Sequence, residues 1–353
     1  MANTDTNASA SKTILLTGAT GKQGRAFIAA LAPPAPPPND HDTDAASPFH
    51  ILALTRDPSS PSARSLASQS NVTLVKADLN DPASVRGAFE LAKGEYGGVW
   101  GVFCVLAFPG LGDDGAGEER QGKTIADLAL EFAVSTFVYS SAERGGESAD
   151  DSRQGSGRAK VAIERHVKGL GEKGLRWTIL RPGFFMENFE GRIGSITTAV
   201  LQCGLKPTTQ VQLIAADDIG RTAAGVFQDP DAYACKVLAV IGDFLSMPEQ
   251  AAAYKHATGR ARPAIPAFLA RILMTLNTHT RGIVADIERV QKARTEGAVP
   301  DLDVQIALAK KAYPGMRTFE QWAADAKARQ VQGDSWKGNW NQVSLLRLVT
   351  GKS

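Results

Sequence analysis

Eight residues near the start of the chain, Thr17-Gly18-Ala19-Thr20-Gly21-Lys22-Gln23-Gly24, constrain its fold more than any other stretch. They follow a short apolar run, Thr13-Ile14-Leu15-Leu16-Thr17, and lead into helix-forming residues from Arg25 to Leu31. A glycine-spaced turn between a buried strand and a helix opens a βαβ unit. Here the spacing is G-x-x-G-x-x-G. Gly18 permits the tight turn, Gly21 lets backbone approach a pyrophosphate, and Gly24 lets the helix pack on the strand. The free N–H groups and dipole of the helix N-terminus favour an anion at the same place. Gly18, Ala19, Thr20, Gly21, Lys22, Gln23 and Gly24 are therefore the expected cradle of a dinucleotide. Lys22 is open to two readings, extra positive charge beside the phosphates or a solvated surface lysine.

The rest of the first half repeats the pattern. Strand-like runs at Ile51–Thr55, Val72–Val75, Val99–Leu106, Thr136–Ser140 and Trp177–Leu180 alternate with helical stretches at 62–68, 82–91, 122–132 and 159–170. Short apolar strands alternating with helices predict a parallel sheet, and right-handed crossovers make it doubly wound. The expected fold is α/β, a Rossmann-type doubly wound parallel sheet over 12–192 with a smaller, mostly helical C-terminal substrate lobe over 193–330, partly interleaved with the sheet. In that lobe, strand-like pieces are expected at 210–215 and 236–241 and helices at 245–260, 264–277, 281–296, 301–312 and 318–330. Residues 1–11 and 331–353 are expected to be tails, the first of them disordered. The run Ala32-Pro33-Pro34-Ala35-Pro36-Pro37-Pro38 opens a Pro-rich segment over 32–48 that neither propagates a helix nor joins a sheet. It is expected to be a surface loop insertion, with a polyproline ligand as the second reading.

Charge and cysteines narrow the function classes. With 39 basic and 37 acidic residues the formal net charge is +2, so no broad field draws the chain to nucleic acid or anionic lipid. Cys104, Cys203 and Cys235 form no Cys-x-x-Cys pair and read as free thiols in a reducing compartment. The polar start lacks an apolar signal core, and the apolar stretch 264–276 is too short to span a bilayer. A cytoplasmic protein is expected, without a membrane or nucleic-acid partner, and nuclear if it is a regulator. The five histidines have no metal-ligand spacing, and no metal site is expected. No Gly-x-Ser-x-Gly elbow supports hydrolase chemistry.

The second strand ends at Thr55-Arg56-Asp57. A free 2′-hydroxyl is usually met there by an acid, whereas the Arg56 guanidinium suits a 2′-phosphate. NADP(H) is therefore favoured over NAD(H), although the adjacent Asp57 could do the other job. Short-chain dehydrogenases pair a catalytic tyrosine with a lysine four residues on. None of the five tyrosines here has that lysine. The matching helical segment is Ser156-Gly157-Arg158-Ala159-Lys160, with serine in place of tyrosine. Tyr139-Ser140-Ser141, at the end of the fifth strand, offers other hydroxyls, or merely packs there.

These motifs together resemble the NmrA-like family of atypical short-chain dehydrogenase/reductases. The resemblance rests on the glycine turn, Arg56, Lys76-Ala77-Asp78-Leu79, Phe137-Val138-Tyr139-Ser140-Ser141, Lys160 with Glu164, Leu180–Phe189, and Asp217-Asp218-Ile219-Gly220-Arg221, in order from about Ser11 to Ile265. It implies that Asp78 and Leu79 meet the adenine and that Leu106, Ala107 and Phe108 line the cofactor. It implies that Lys160 binds the nicotinamide ribose and that Phe185, Met186, Glu187 and Asn188 close over the nicotinamide end. Asp217 and Asp218 would be scaffold residues. The family contains redox sensors and transcriptional co-regulators, isoflavone-reductase-type enzymes that work without the tyrosine, and fungal biosynthetic oxidoreductases.

Phe184, Phe185, Met186 and Phe189 follow a strand C-terminus, where ligands lie in open α/β sheets. They read either as an apolar substrate pocket or as core between lobes. The stretch 266–274 likewise reads as a pocket lid or a core helix. The favoured function is an NADP(H)-dependent oxidoreductase of a small apolar carbonyl or enone, with Lys160, Ser140 and Ser141 as catalytic candidates. The alternative is a non-catalytic dinucleotide sensor acting through a regulatory protein partner.

Overall fold

The computed structural model describes residues 11–33, 47–110, 113–148 and 150–331. The tails and the bulk of the Pro-rich insertion lie outside the described residues. In chain order the elements are β1 (Lys12–Leu16), α1 (Lys22–Ala30), β2 (Phe49–Thr55), α2 (Pro61–Ala67), β3 (Val72–Lys76), α3 (Pro82–Glu95), β4 (Gly101–Cys104), α4 (Ala116–Glu131), β5 (Thr136–Ser140), α5 (Gly155–Gly171) and β6 (Trp177–Pro182). There follow β7 (Phe184–Phe185), α6 (Gly191–Gly204), β8 (Gln210–Ile214), α7 (Ala216–Gln228), α8 (Pro230–Tyr233), β9 (Lys236–Val240), β10 (Asp243–Ser246), α9 (Met247–Thr258), α10 (Ala267–Leu276), α11 (Thr278–Thr295), α12 (Leu302–Ala312) and α13 (Phe319–Val331).

Seven strands form one parallel sheet in the order β3-β2-β1-β4-β5-β6-β9. Its strands are buried on both faces, so they read as continuous apolar runs. The pleat still sorts their side chains by parity. Ile14, Leu16, Ile51, Ala53, Phe103, Val138 and Leu180 join the core under α1 and α7. Leu15, Leu52, Leu54, Val102, Cys104, Phe137 and Tyr139 join the core under α3, α4 and α5. A second sheet, β10-β8-β7, pairs β8 antiparallel with β10 and parallel with β7. It shares a third core with α6, α9, α10 and α13.

The second half of the chain supplies parts of the first layer system. β9 extends the large sheet beyond β6, and α7 lies against α1. That packing is backbone to backbone, since a Cβ on Gly220 would sit 2.1 Å from the Gln23 carbonyl and 2.8 Å from the Phe27 nitrogen. The C-terminal segment is then fastened to α7 by ions. The buried Asp218 carboxylate accepts from the Arg317 backbone N–H at 2.8 Å and from its guanidinium at 3.0 Å. The ends of the Pro-rich insertion are also tied, for the Leu31 carbonyl accepts from both Ser47 Oγ and Asn71 Nδ2.

Of the helix starts that differ from the sequence reading, two matter later. α4 begins at Ala116 rather than 122, because Glu118 and Glu119 complement the dipole of its first turn. α5 begins at Gly155 rather than 159, which places Ser156 and Lys160 on successive turns of one helix. The two-residue β7 is too short to carry a period, and α6 and α7 were not delimited by periodicity.

Gly220→Ala drives a methyl group into the α1 backbone. It should destabilise the protein by about 1–3 kcal/mol, the usual cost of overpacking, as measured by urea unfolding.

Candidate functional site

The large sheet reverses its order of growth at β1, which has β2 on one side and β4 on the other. Crevices at such switch points, beyond the strand C-termini, are where doubly wound folds bind ligands. Thr17 closes this one at its base. Its hydroxyl donates to the Val105 carbonyl and accepts from the Val105 N–H, both at 2.8 Å. The glycine turn is thereby held against the end of β4, with Gly18 at φ +62° and no room for a Cβ beside the Val105 carbonyl. Gly21 is the N-cap of α1, and no side chain caps the helix. The first turn contains no acidic residue, so its N–H end is open to an anion. Lys22 is neither solvated alone nor free, since its ammonium meets the Glu190 carboxylate at 3.1 Å. Gln23 accepts from Ser140 Oγ at 2.8 Å, tying the turn to the end of β5.

At the other end of the crevice Arg56 is exposed, with no hydrogen bond or ion pair among the described residues. Asp57 is engaged instead, its Oδ1 accepting from the Ser59 N–H at 2.9 Å and the Ser59 hydroxyl at 2.5 Å. Those bonds hold its carboxyl below the usual range. Asp78 and Leu79 lie beside this strand end, because the Ala77 N–H donates to the Thr55 carbonyl at 2.9 Å. Arg25, which drew no attention in the sequence, bridges the Thr20 carbonyl and the Ser62 carbonyl, each at 2.9 Å. It thus braces the glycine turn against the start of α2.

Lys160 has an unexpected partner. Its ammonium donates to Glu118 Oε1 at 2.6 Å, and Ser156 Oγ donates to Glu118 Oε2 at 2.5 Å. Glu118 is 2% exposed. It comes from α4, so the serine and lysine of the altered motif are clamped from a neighbouring helix. No hydrogen bond joins Lys160 to Ser140 or Ser141, so these three catalytic candidates are not directly linked. Ser140 is bonded to Gln23, while Ser141 donates to Glu164 Oε1 at 2.5 Å. Glu164 belongs to a buried cluster with Arg144 and Arg181, each 2.6 Å away. Burial alone would raise its carboxyl, and the two guanidiniums outweigh that and hold it below the ordinary value. Tyr139 supplies no phenol to the crevice. It is fully buried, its hydroxyl lacks a partner, and burial pushes it well above the normal tyrosine range.

The apolar segment divides. Met186 is sealed in the third core and Phe189 nearly so, which corrects the expectation that Met186 faces the nicotinamide end. Phe185 and Asn188 stay half-exposed. Leu106 likewise packs in the core beneath the crevice, whereas Ala107 and Phe108 are exposed beyond it. Glu187 is buried and caps a helix rather than facing a ligand, both carboxylate oxygens accepting from the Ala216 N–H that starts α7, at 3.0 and 3.1 Å. Burial pushes its carboxyl up to about 7, against the pull of Lys22. Among the described residues no group of three His, Cys, Asp or Glu side chains could hold a metal ion, and no helix is long and apolar enough to cross a membrane.

A doubly wound sheet with an uncapped glycine turn at its switch point defines a protein of the NAD(P)-binding fold. The profile of the NmrA-like family matches residues 10–323, and the chain belongs to that family. The match runs well past Ile265, through α12 and into α13. The chain is 27% identical over 288 residues to an NmrA-like family domain-containing oxidoreductase, ptmS, of Penicillium ochrochloron, covering 73% of this chain and 78% of that one. It is 29% identical over 278 residues to another, cpsB, of Aspergillus campestris, covering 71% and 75%. Among solved structures, NmrA, a negative transcriptional regulator, superposes with a TM-score of 0.64 at 20% identity, over 94% of this chain and 99% of that one. An NADPH-dependent quinone oxidoreductase of Escherichia coli, solved with NADPH, gives 0.60 at 20% identity over 90% and 99%. At such identities these two likenesses speak for the fold alone.

Glu187 generates a prediction. Its folded value of about 7 lies above that of an exposed glutamate. The folded state therefore holds the proton longer, and stability falls as pH rises from the unfolded value through 7. Glu187→Gln removes that dependence. The variant should match wild type near pH 4.5 and exceed it by about 1–3 kcal/mol at pH 8 in urea unfolding.

Proposed function

We propose that the chain is an NADP(H)-dependent oxidoreductase acting on a small apolar carbonyl or enone. The observation that carries the reading is the glycine turn pinned by Thr17 to β4, with the first turn of α1 uncapped and free of acid. The residues present fit a dinucleotide. A Cβ on Gly21 would meet nothing within 4 Å except the Gly18 carbonyl at 3.3 Å, so backbone is open to close approach. Gly18 to Gly24 would hold the pyrophosphate, Arg56 the 2′-phosphate, and Asp78 and Leu79 the adenine. Ala107, Phe108, Phe185 and Asn188 would line the rest, with Leu106 and Met186 contributing support from the core. Bound there, the cofactor supplies the hydride, and the protein supplies position and electrostatics.

Lys160 would bind the nicotinamide ribose. One of its three donors is committed to Glu118, which fixes the ammonium and leaves two for a ligand. Names of the fungal relatives support oxidoreductase chemistry.

A second reading has its own observation. Ser156 is held by Glu118, and Tyr139 is sealed in the core without a hydrogen-bond partner, so no phenol is hydrogen-bonded to Lys160. That favours a cofactor-binding regulator that acts through a protein partner. Calorimetric titration with NADP⁺, NADPH, NAD⁺ and NADH separates the two. Tight NADPH binding, well above that of NADP⁺, is expected of the reductase. Equal binding of the oxidised cofactors with weak binding of the reduced ones would favour the regulator.

Arg56→Ala should weaken NADP(H) binding by about 10–100-fold, the worth of charge-assisted hydrogen bonds, and leave NAD(H) binding unchanged. Equal losses for both pairs would refute the assignment. In a screen of enones and ketones for NADPH oxidation, Lys160→Ala should lower turnover on the order of 100-fold, with a smaller loss of cofactor affinity. Unaltered turnover would remove Lys160 from the chemistry.

A further inference from the structure

Arg262 lies in the loop between α9 and α10 and is 7% exposed. Its guanidinium sits over the Phe189 ring, 4.4 Å from the centroid, with the Phe319 ring at 5.6 Å. Nη1 donates to Gln250 Oε1 at 2.9 Å. Among the described residues Nε and Nη2 have no hydrogen-bond partner, and no carboxylate answers the charge. Burial pulls the guanidinium down to about 10, and only Tyr254 works against it. The other deeply buried guanidiniums are treated differently, for Arg144 and Arg181 are each met by acids at 2.6 Å. An unpaired buried cation is among the costliest groups a fold can carry.

The two unanswered nitrogens form one edge of the guanidinium. That edge carries two parallel N–H groups that match both oxygens of a carboxylate; it is closed off from solvent by its surroundings, so a ligand reaches it only as those surroundings part. Its surroundings are flat and apolar. Phe189 is in ring contact with Phe319 at 5.8 Å and with the half-buried Phe184 at 5.7 Å. Phe189 also closes the segment leading to Glu190, which touches Lys22 of the glycine turn. We propose that the Nε–Nη2 edge of Arg262, framed by these rings, receives a carboxylate carried on a flat aromatic or conjugated ligand. That this ligand is the substrate rests on the oxidoreductase reading and revises it, from an apolar carbonyl or enone to one that also carries a carboxylate. The anion site itself stands on Arg262.

The test uses sodium benzoate as probe and benzamide as its neutral isostere, read by thermal unfolding of the full chain at constant ionic strength. Benzoate at about 10 mM should raise the wild-type Tm by a few degrees, the response of a ligand that binds only the folded state, while benzamide should not. Arg262→Leu should keep or raise the ligand-free Tm, since it removes an unpaired charge, and should abolish the benzoate shift. Arg262→Lys keeps the charge but loses the fork, and benzoate affinity should fall on the order of tenfold. If the leucine variant does not fold, the lysine variant and the benzamide control decide. No shift in wild type, an equal shift with benzamide, or an undiminished shift in the variants overturns the proposal. NADPH titration of the same samples should give equal affinities for wild type and the variants. Failure of NADPH to bind wild type would sink the oxidoreductase reading alone, leaving the anion site to stand or fall by the benzoate shift.

Discussion

Thr17 and Val105 exchange two hydrogen bonds across the switch point of the sheet, and the rest of the site is assembled on that exchange. A threonine hydroxyl both donates and accepts, so one side chain can satisfy a buried N–H and a buried carbonyl on the neighbouring strand end. With that bond in place, Gly18 must turn with positive φ, and α1 starts with its N–H groups facing the crevice. α7 then holds α1 from behind through the close approach at Gly220, and Asp218 of α7 fastens the C-terminal segment through Arg317. A chain of contacts thus runs from the anion-facing turn to the last described helices.

Three of the buried charges are organised differently from one another, and each has a different meaning. Around Glu164, two guanidiniums and the Ser141 hydroxyl all donate to one carboxylate, and the result is a fully paired corner under β5 and β6. Around Glu118, one carboxylate clamps a lysine and a serine of the same helix, and the lysine keeps donors for something else. At Arg262 the charge is left without a counter-ion. A fold that answers its other buried guanidiniums so fully has the means to answer this one, and does not.

Much of the fold was legible before any coordinates. The strands were visible because a sheet covered on both faces leaves unbroken apolar runs, and α9 to α13 because amphipathic helices repeat at their own period. Boundaries slipped at α4 and α5: the first turn of α4 carries Glu118 and Glu119, whereas that of α5 has neither an acid nor a side-chain cap, and its Ser156 is held by Glu118 of α4. Of the candidate site, the turn between β1 and α1 and the place of Arg56 at the end of β2 were readable because strand-turn-helix signals are local. The grouping of Lys160 with Ser140 and Ser141 was not, because strand-end residues on opposite faces of the pleat look alike in sequence. Ser140 turns to Gln23 and Ser141 to Glu164.

The sequence by itself determined the dinucleotide-type turn, the parallel α/β class, the guanidinium at the end of the second strand and the loss of the tyrosine from Tyr-x-x-x-Lys. All of these are properties of residue type and short spacing, which a chain carries whether folded or not. Tertiary structure decided which carboxylate holds Lys160, which phenylalanines are core, that Glu187 caps α7, and that Arg262 is buried with no carboxylate beside it among the described residues. Those facts join residues tens to more than a hundred positions apart. No local period encodes them, and they exist only once the sheets and helices have closed.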